Sequence, residues 1–222
     1  MDWAALSLSL KLAFWTMLVL LPIGILLSRQ LAWRAFRGRP IAEALLALPL
    51  VLPPTVLGFY LLLSFGGSSW LGTAYQSLVG KPLAFTFEGL LLASFVVNLP
   101  FAIQPMQRAF EAIPLDVRDA AACCGLNAWQ TFLRIELPLA WPGIVSAMVL
   151  TFAHTLGEFG VVLMVGGSIP GETRTVAIAI YDRVQAFDND AAAFMSALLL
   201  GISLIAMTIV FATSRTRLHA RT

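Results

Sequence analysis

The residues with the most varied chemistry in this chain fall in one stretch, Asp119-Ala120-Ala121-Ala122-Cys123-Cys124-Gly125, followed nine residues on by Ile135-Glu136-Leu137-Pro138. Pro114 upstream suits a helix start, because its missing N–H would be unpaired there anyway. Asp116 and Asp119 place negative charge in the first turns, where the helix dipole favours it. Gly125 fits the left-handed residue that ends a helix. Asn127 and Gln130 have capping-box spacing for a second helix, with asparagine in place of serine or threonine. Ala120, Ala121, Ala122 and Cys124 are small, so another protein's backbone can approach closely. The chemistry on offer is docking, with a plain helical hairpin as the alternative.

Bond-making chemistry is not in evidence. No G-x-x-x-x-G-K-[ST] phosphate loop occurs; Gly80-Lys81 runs into Pro82 and lacks both the glycine spacing and the hydroxyl. No Ser/His/Asp order and no metal-ligand cluster is present. Cys123 and Cys124 are adjacent, which is neither a CxxC redox motif nor a zinc pair. The expectation is therefore no catalytic residue, no metal and no cofactor bound by this chain.

The elements that must position the hairpin follow from composition. The chain is 59% hydrophobic and 12% charged, against about 25% charged in soluble domains. So much apolar surface predicts an all-α integral membrane protein, one domain over 1–222, since backbone groups in lipid must pair internally. Strand-type alternation is absent, which argues against a barrel. Five spans are expected: Ser7–Ser28, Glu43–Phe65, Gly89–Arg108, Pro138–Val162 and Ala191–Thr213. A sixth at Thr175–Tyr181 is the alternative to a short interfacial or re-entrant helix there. Arg29, Arg34, Arg37, Arg39, Arg108, Arg118, Arg134, Arg215, Arg217 and Arg221 gather on one side, and only Lys11, Lys81, Arg174 and Arg183 on the other. The positive-inside rule then puts the N-terminus outside and the C-terminus in the cytoplasm, with the loop 111–137 cytoplasmic. The net charge of +2, without a basic aromatic run, gives no reason to expect nucleic acid.

Within the spans, Pro49, Pro53 and Pro54 must interrupt the helix ladder. Irregular backbone at membrane depth belongs against protein or a water-filled cavity, so Pro53, Pro54 and Thr55 are candidates for lining a passage, or for a kink that fits a neighbour. Thr151, Thr155 and Ser196 are further lining candidates through their hydroxyls. His154 and Glu158 share a helix face. Glu158 lies 20 residues beyond Pro138, or roughly 30 Å at the helical rise, which predicts an outer-rim position together with Arg174. A structural pairing and a gating or docking role both remain open for them. Arg174 is either part of a basic mouth or a charge at the headgroups.

The spacing of Asp119, Ala120, Ala121, Gly125, Ile135, Leu137 and Pro138 resembles the "EAA" loop of permease subunits of binding-protein-dependent ABC importers. That loop reads Glu-Ala-Ala, three residues, Gly, nine residues, Ile-x-Leu-Pro. Asp119 departs from the family's Glu, which keeps the charge and shortens its reach. The stretches Leu48-Pro49-Leu50-Val51-Leu52-Pro53-Pro54-Thr55-Val56-Leu57-Gly58 and His154-Thr155-Leu156-Gly157-Glu158-Phe159-Gly160 resemble the molybdate permease branch, which is similar to the sulfate/thiosulfate permeases.

The resemblance implies a type I ABC importer permease-like bundle of five or six transmembrane helices with cytoplasmic coupling helices. It implies a bacterial cytoplasmic (inner) membrane location and a second copy of the chain. It implies an ABC ATPase dimer that carries ATP and Mg, and an extracytoplasmic molybdate-binding protein. The implied activity is molybdate translocation by alternating access. The same machinery for sulfate, thiosulfate or tungstate is the near alternative; a passive anion channel or a membrane scaffold is the alternative of another class.

Overall fold

The apolar runs fold as long helices because no other arrangement pairs every backbone group within its own segment. The computed structural model describes residues 2–215, and the basic tail residues Arg217 and Arg221, with His219, lie outside them. In chain order the helices are α1 (Trp3–Trp33), α2 (Arg39–Val51), α3 (Pro54–Phe65), α4 (Trp70–Val79), α5 (Phe87–Glu111), α6 (Leu115–Cys123) and α7 (Ala128–Thr131). A π-helical turn, Phe132–Glu136, leads into α8 (Leu137–Gly157), followed by α9 (Gly160–Gly166), α10 (Val176–Gln185) and α11 (Asn189–Arg215).

Among the described residues, four helical stretches are long and apolar enough to cross a membrane: Trp3–Trp33, Phe87–Glu111, Ala128–Gly157 and Asn189–Ala212. The bent pair α2 and α3 makes a fifth if taken as one span. One expected break is found and one expected boundary is corrected. The stretch Glu43–Phe65 is two helices that meet at 110°. The stretch Pro138–Val162 ends as a helix at Gly157, and a separate short helix begins at Gly160. The reason for the first is proline: Leu52 and Pro53 take extended ψ angles of 137° and 135°, as the residue before a proline is pushed to do.

At the centre, α5 packs on α1 and α8, and α8 on α11. Small residues let α5 and α8 come close. A Cβ added to Gly143 would run into the Ala109 Cβ and lie 3.0 Å from the Pro105 carbonyl oxygen. One end of the bundle carries the α6–α7 hairpin over a core of Met106, Phe110, Ile113, Phe132 and Ile144. The far end is closed by α10, whose Val176 and Ala179 pack with Ala5, Leu6 and Met195. Thus α10, expected as a short interfacial or re-entrant helix over Thr175–Tyr181, is longer and half-embedded, with Ile178 and Ala179 fully buried.

Candidate functional site

The hairpin is built by local rules. Gly125 has φ +77°, and two crossed bonds close the end of α6: Leu126 N–H to the Ala121 carbonyl at 3.1 Å and Gly125 N–H to the Ala122 carbonyl at 2.9 Å. This is the Schellman arrangement. The next helix opens on a reciprocal capping box: Gln130 N–H donates to Asn127 Oδ1 at 2.9 Å, and Asn127 N–H to Gln130 Oε1 at 3.0 Å. The turn orients α6 and α7 as a pair. Asp119, Ala120, Ala122 and Gly125 are exposed, flanked by Leu115 and Trp129, which are 63% and 62% exposed. Ala121 differs from its neighbours in being buried. Ile135 and Leu137 are half-buried, and Pro138 is exposed.

One residue of this region carries more than its motif position suggests. Glu136 is fully buried and accepts hydrogen bonds from Arg29 of α1 and, at 2.9 Å, from Arg118 of α6. Each arginine also covers an aromatic face, Arg118 over Trp33 at 4.2 Å and Arg29 over Phe132 at 5.1 Å. The π-turn brings the carboxylate inward. Pro138 has no N–H for the carbonyl of Arg134, and the wider turn before it accommodates the ring. A lone acid in the largely apolar stretch Phe132–Trp141, where Arg134 is the one basic residue, is its signal in the sequence; its partners lie 107 and 18 residues away.

A second polar locus forms where helices break at mid-depth. A pocket of about 180 Å³ is lined by Pro49, Leu52, Pro54, Phe101, His154 and Glu158, among others. Pro53 and Pro54 have no N–H, so the carbonyls of Pro49 and Leu50 lack their helical donors. His154 stacks on Phe101 at 4.0 Å between ring centroids, and its Nδ1 lies 3.1 Å from Asn98 Oδ1. The Asn98 amide donates to the Ser94 carbonyl at 2.8 Å. Its oxygen therefore faces the ring, and His154 Nδ1 carries the hydrogen. Glu158 Oε1 accepts the Val161 N–H at 3.0 Å, which caps the start of α9, and Oε2 is 3.8 Å from His154 Nε2.

This places His154 and Glu158 away from the expected outer rim. Asn98 sits near the midpoint of α5, so the pair lies well below the far end, where Arg174 is found. Arg174 is itself bound up, with Asp182 at 3.0 Å and Asp2 at 3.6 Å. The two loci therefore do not form one site. Pro53, Pro54 and Thr55 are exposed, but of the three only Pro54 lines the pocket, and Ser196 is exposed on α11. Thr151 and Thr155 do not line an opening: they are 1% and 2% exposed on a helix that packs on α1, α5 and α11. The Thr155 hydroxyl bonds back to the Thr151 carbonyl at 2.7 Å, as helical threonines do.

The model of one protein family, described as the inner membrane component of binding-protein-dependent transport systems, matches residues 20–222. A molybdenum transport system permease protein, ModB, of Azotobacter vinelandii is 44% identical over 216 residues, covering 97% of this chain and 94% of that protein. A probable sulfate transport system permease protein of Chlorella vulgaris is 30% identical over 207 residues, covering 93% and 77%. In fold, the chain resembles a subunit in the crystal structure of a bacterial alginate ABC transporter complexed with its pentasaccharide-bound periplasmic protein. The TM-score is 0.72 at 18% identity, covering 95% of this chain and 76% of that one.

Proposed function

The chain belongs to the family of inner membrane components of binding-protein-dependent transport systems, and from that premise we propose that it is the membrane-spanning half of an ATP-driven molybdate importer. Two copies form the passage. The α6–α7 hairpin faces the cytoplasm and seats an ABC ATPase dimer, which binds ATP and Mg and supplies the energy. An extracytoplasmic binding protein delivers the oxyanion at the far end. ATP binding draws the two hairpins together, the bundles rock to face outward, and hydrolysis returns them inward. The observation that carries this reading is the hairpin: two capped helices presenting Asp119, Ala120, Ala122 and Trp129 in a protein with no phosphate loop of its own. The choice of molybdate is supported by the ModB relative's match along nearly the whole chain.

The test is uptake into proteoliposomes that hold the permease, its ATPase and its binding protein. Labelled molybdate is expected to accumulate only with ATP, and excess sulfate to compete weakly. Sulfate uptake outrunning molybdate overturns the substrate assignment. Flux without ATP overturns the importer reading in favour of a passive channel.

The break at Pro53-Pro54 carries a prediction of its own. Each proline disfavours helix continuation by about 3 kcal/mol relative to alanine. Replacing both with alanine lets α2 extend across the mid-depth pocket. The expected result is reduced uptake with ATPase binding retained; unchanged uptake would show that the passage does not need the break.

A further inference from the structure

We infer that α1 is a tie between the docking hairpin and the far end of the bundle, and that Glu136 and Arg29 are the positioning residues that fasten its lower end. The inference rests on the reading of the hairpin as an ATPase seat. Three observations place the tie. At the hairpin end, Glu136 joins Arg118 of α6 to Arg29 of α1 through one carboxylate with no exposure of its own. At the far end, the Ser9 hydroxyl of α1 accepts the N–H of Val176, the first residue of α10, at 2.8 Å, with both residues buried. Asp2, which caps α1 through the Ala5 N–H at 3.0 Å, lies 3.6 Å from Arg174 in the loop before α10. The anchors lie on one continuous helix of 31 residues that carries Pro22 within it; Ser9 and Arg29 are 20 residues apart, about 30 Å at the helical rise.

A carboxylate buried between two arginines is costly to assemble, and a well-packed apolar cluster often stabilises as well or better. Its distinctive property is directional: three elements must keep one geometry or expose a charge. Arg29 and Arg118 are fixed further by their aromatic contacts with Phe132 and Trp33. Displacing the hairpin therefore displaces the lower end of α1. The upper end then acts on the 174–176 segment, where Arg174 also reaches Asp182 of α10. Movement of the hairpin reaches α10 along α1, by a route separate from the direct continuation of α7 into α8.

The test substitutes Arg29→Gln in the complete reconstituted transporter. Glu136 keeps Arg118, so the buried carboxylate stays neutralised while its own link to α1 is cut and only the Arg118–Trp33 contact remains. The readout is molybdate moved per ATP hydrolysed. Changes along such a network alter coupling by roughly 2- to 30-fold. A fall of that size is expected, with ATPase activity and complex assembly retained, and Arg29→Lys is expected to recover most of the ratio. Ser9→Ala, at the other anchor, is expected to lower the same ratio without touching the hairpin. An unchanged ratio in either Arg29→Gln or Ser9→Ala overturns the tie, as does an ATPase rate that falls in step with uptake. Failure of the unsubstituted complex to show ATP-dependent uptake refutes the functional reading itself, before any variant is compared.

Discussion

Replacing Gly58 with leucine is expected to reduce uptake to background while the ATPase still co-purifies. The reason is the seat of α3 on α9. A Cβ at position 58 would lie 2.7 Å from the Met164 Cβ and 3.2 Å from the Val161 Cα. The reverse contact is as close: a Cβ on Gly160 would lie 2.7 Å from the Pro54 Cβ. The two helices interlock through missing side chains, so a leucine must push them apart. Overpacking of this kind costs about 1–3 kcal/mol. Several apolar contacts on the same face, including Phe65, Val161 and Val165, oppose complete separation of α3. The outcome is a displaced helix rather than an unfolded one. Pro54 and Val161 line the mid-depth pocket, so the displacement changes its shape directly. The hairpin lies at the other end of the bundle and keeps its caps. Uptake and ATPase pull-down measured on the same preparation check this. Full uptake by Gly58→Leu would remove the α3–α9 seat from the transport path.

Glu136→Ala is expected to produce a large loss of stability. It strands two guanidinium groups whose side chains are only 28% and 30% exposed. Removing one partner of a buried ion pair costs about 3–5 kcal/mol, and the partial exposure of both arginines puts the effect toward the lower figure. Glu136→Gln keeps a carbonyl acceptor of the same size and is expected to lose less. Thermal unfolding in detergent should therefore rank wild type above Gln and Gln above Ala. Equal midpoints for all three would show that the arginines find water instead, and that the carboxylate holds nothing in place.

Much of the hairpin is legible in the order of its residues, because capping is short-range. Whether Gly125 turns left-handed, or Asn127 and Gln130 satisfy each other's N–H groups, depends on a few consecutive residues. The proline break is legible for the same reason: a missing N–H needs no tertiary partner to interrupt a helix. Its angle of 110° is not legible, because packing of α3 on α9 sets it. Glu136 reads as the variable position of a motif, since neither Arg29 nor Arg118 announces where it points. Thr151 and Thr155 read as available to a passage because a helix drawn alone has no inside. Only the neighbours α1, α5 and α11 decide which face is enclosed.

The level of His154 and Glu158 makes the division plain. Counting from Pro138 yields a sound length along α8, but length along one helix is not depth in a bundle. Depth is set by what lies alongside, and Asn98 places His154 at the middle of α5. Residue order and composition suffice to make this chain a helical membrane protein with a capped helical hairpin and an interrupted second span. Those properties come from apolar content and from hydrogen bonds between near neighbours along the chain. Which charges meet, which hydroxyls are enclosed, and the facing of the broken α2–α3 pair and the α8–α9 junction onto one pocket are settled by packing alone. Those contacts join residues dozens of positions apart, and the rotation and tilt of each helix that select them are properties of the packed bundle.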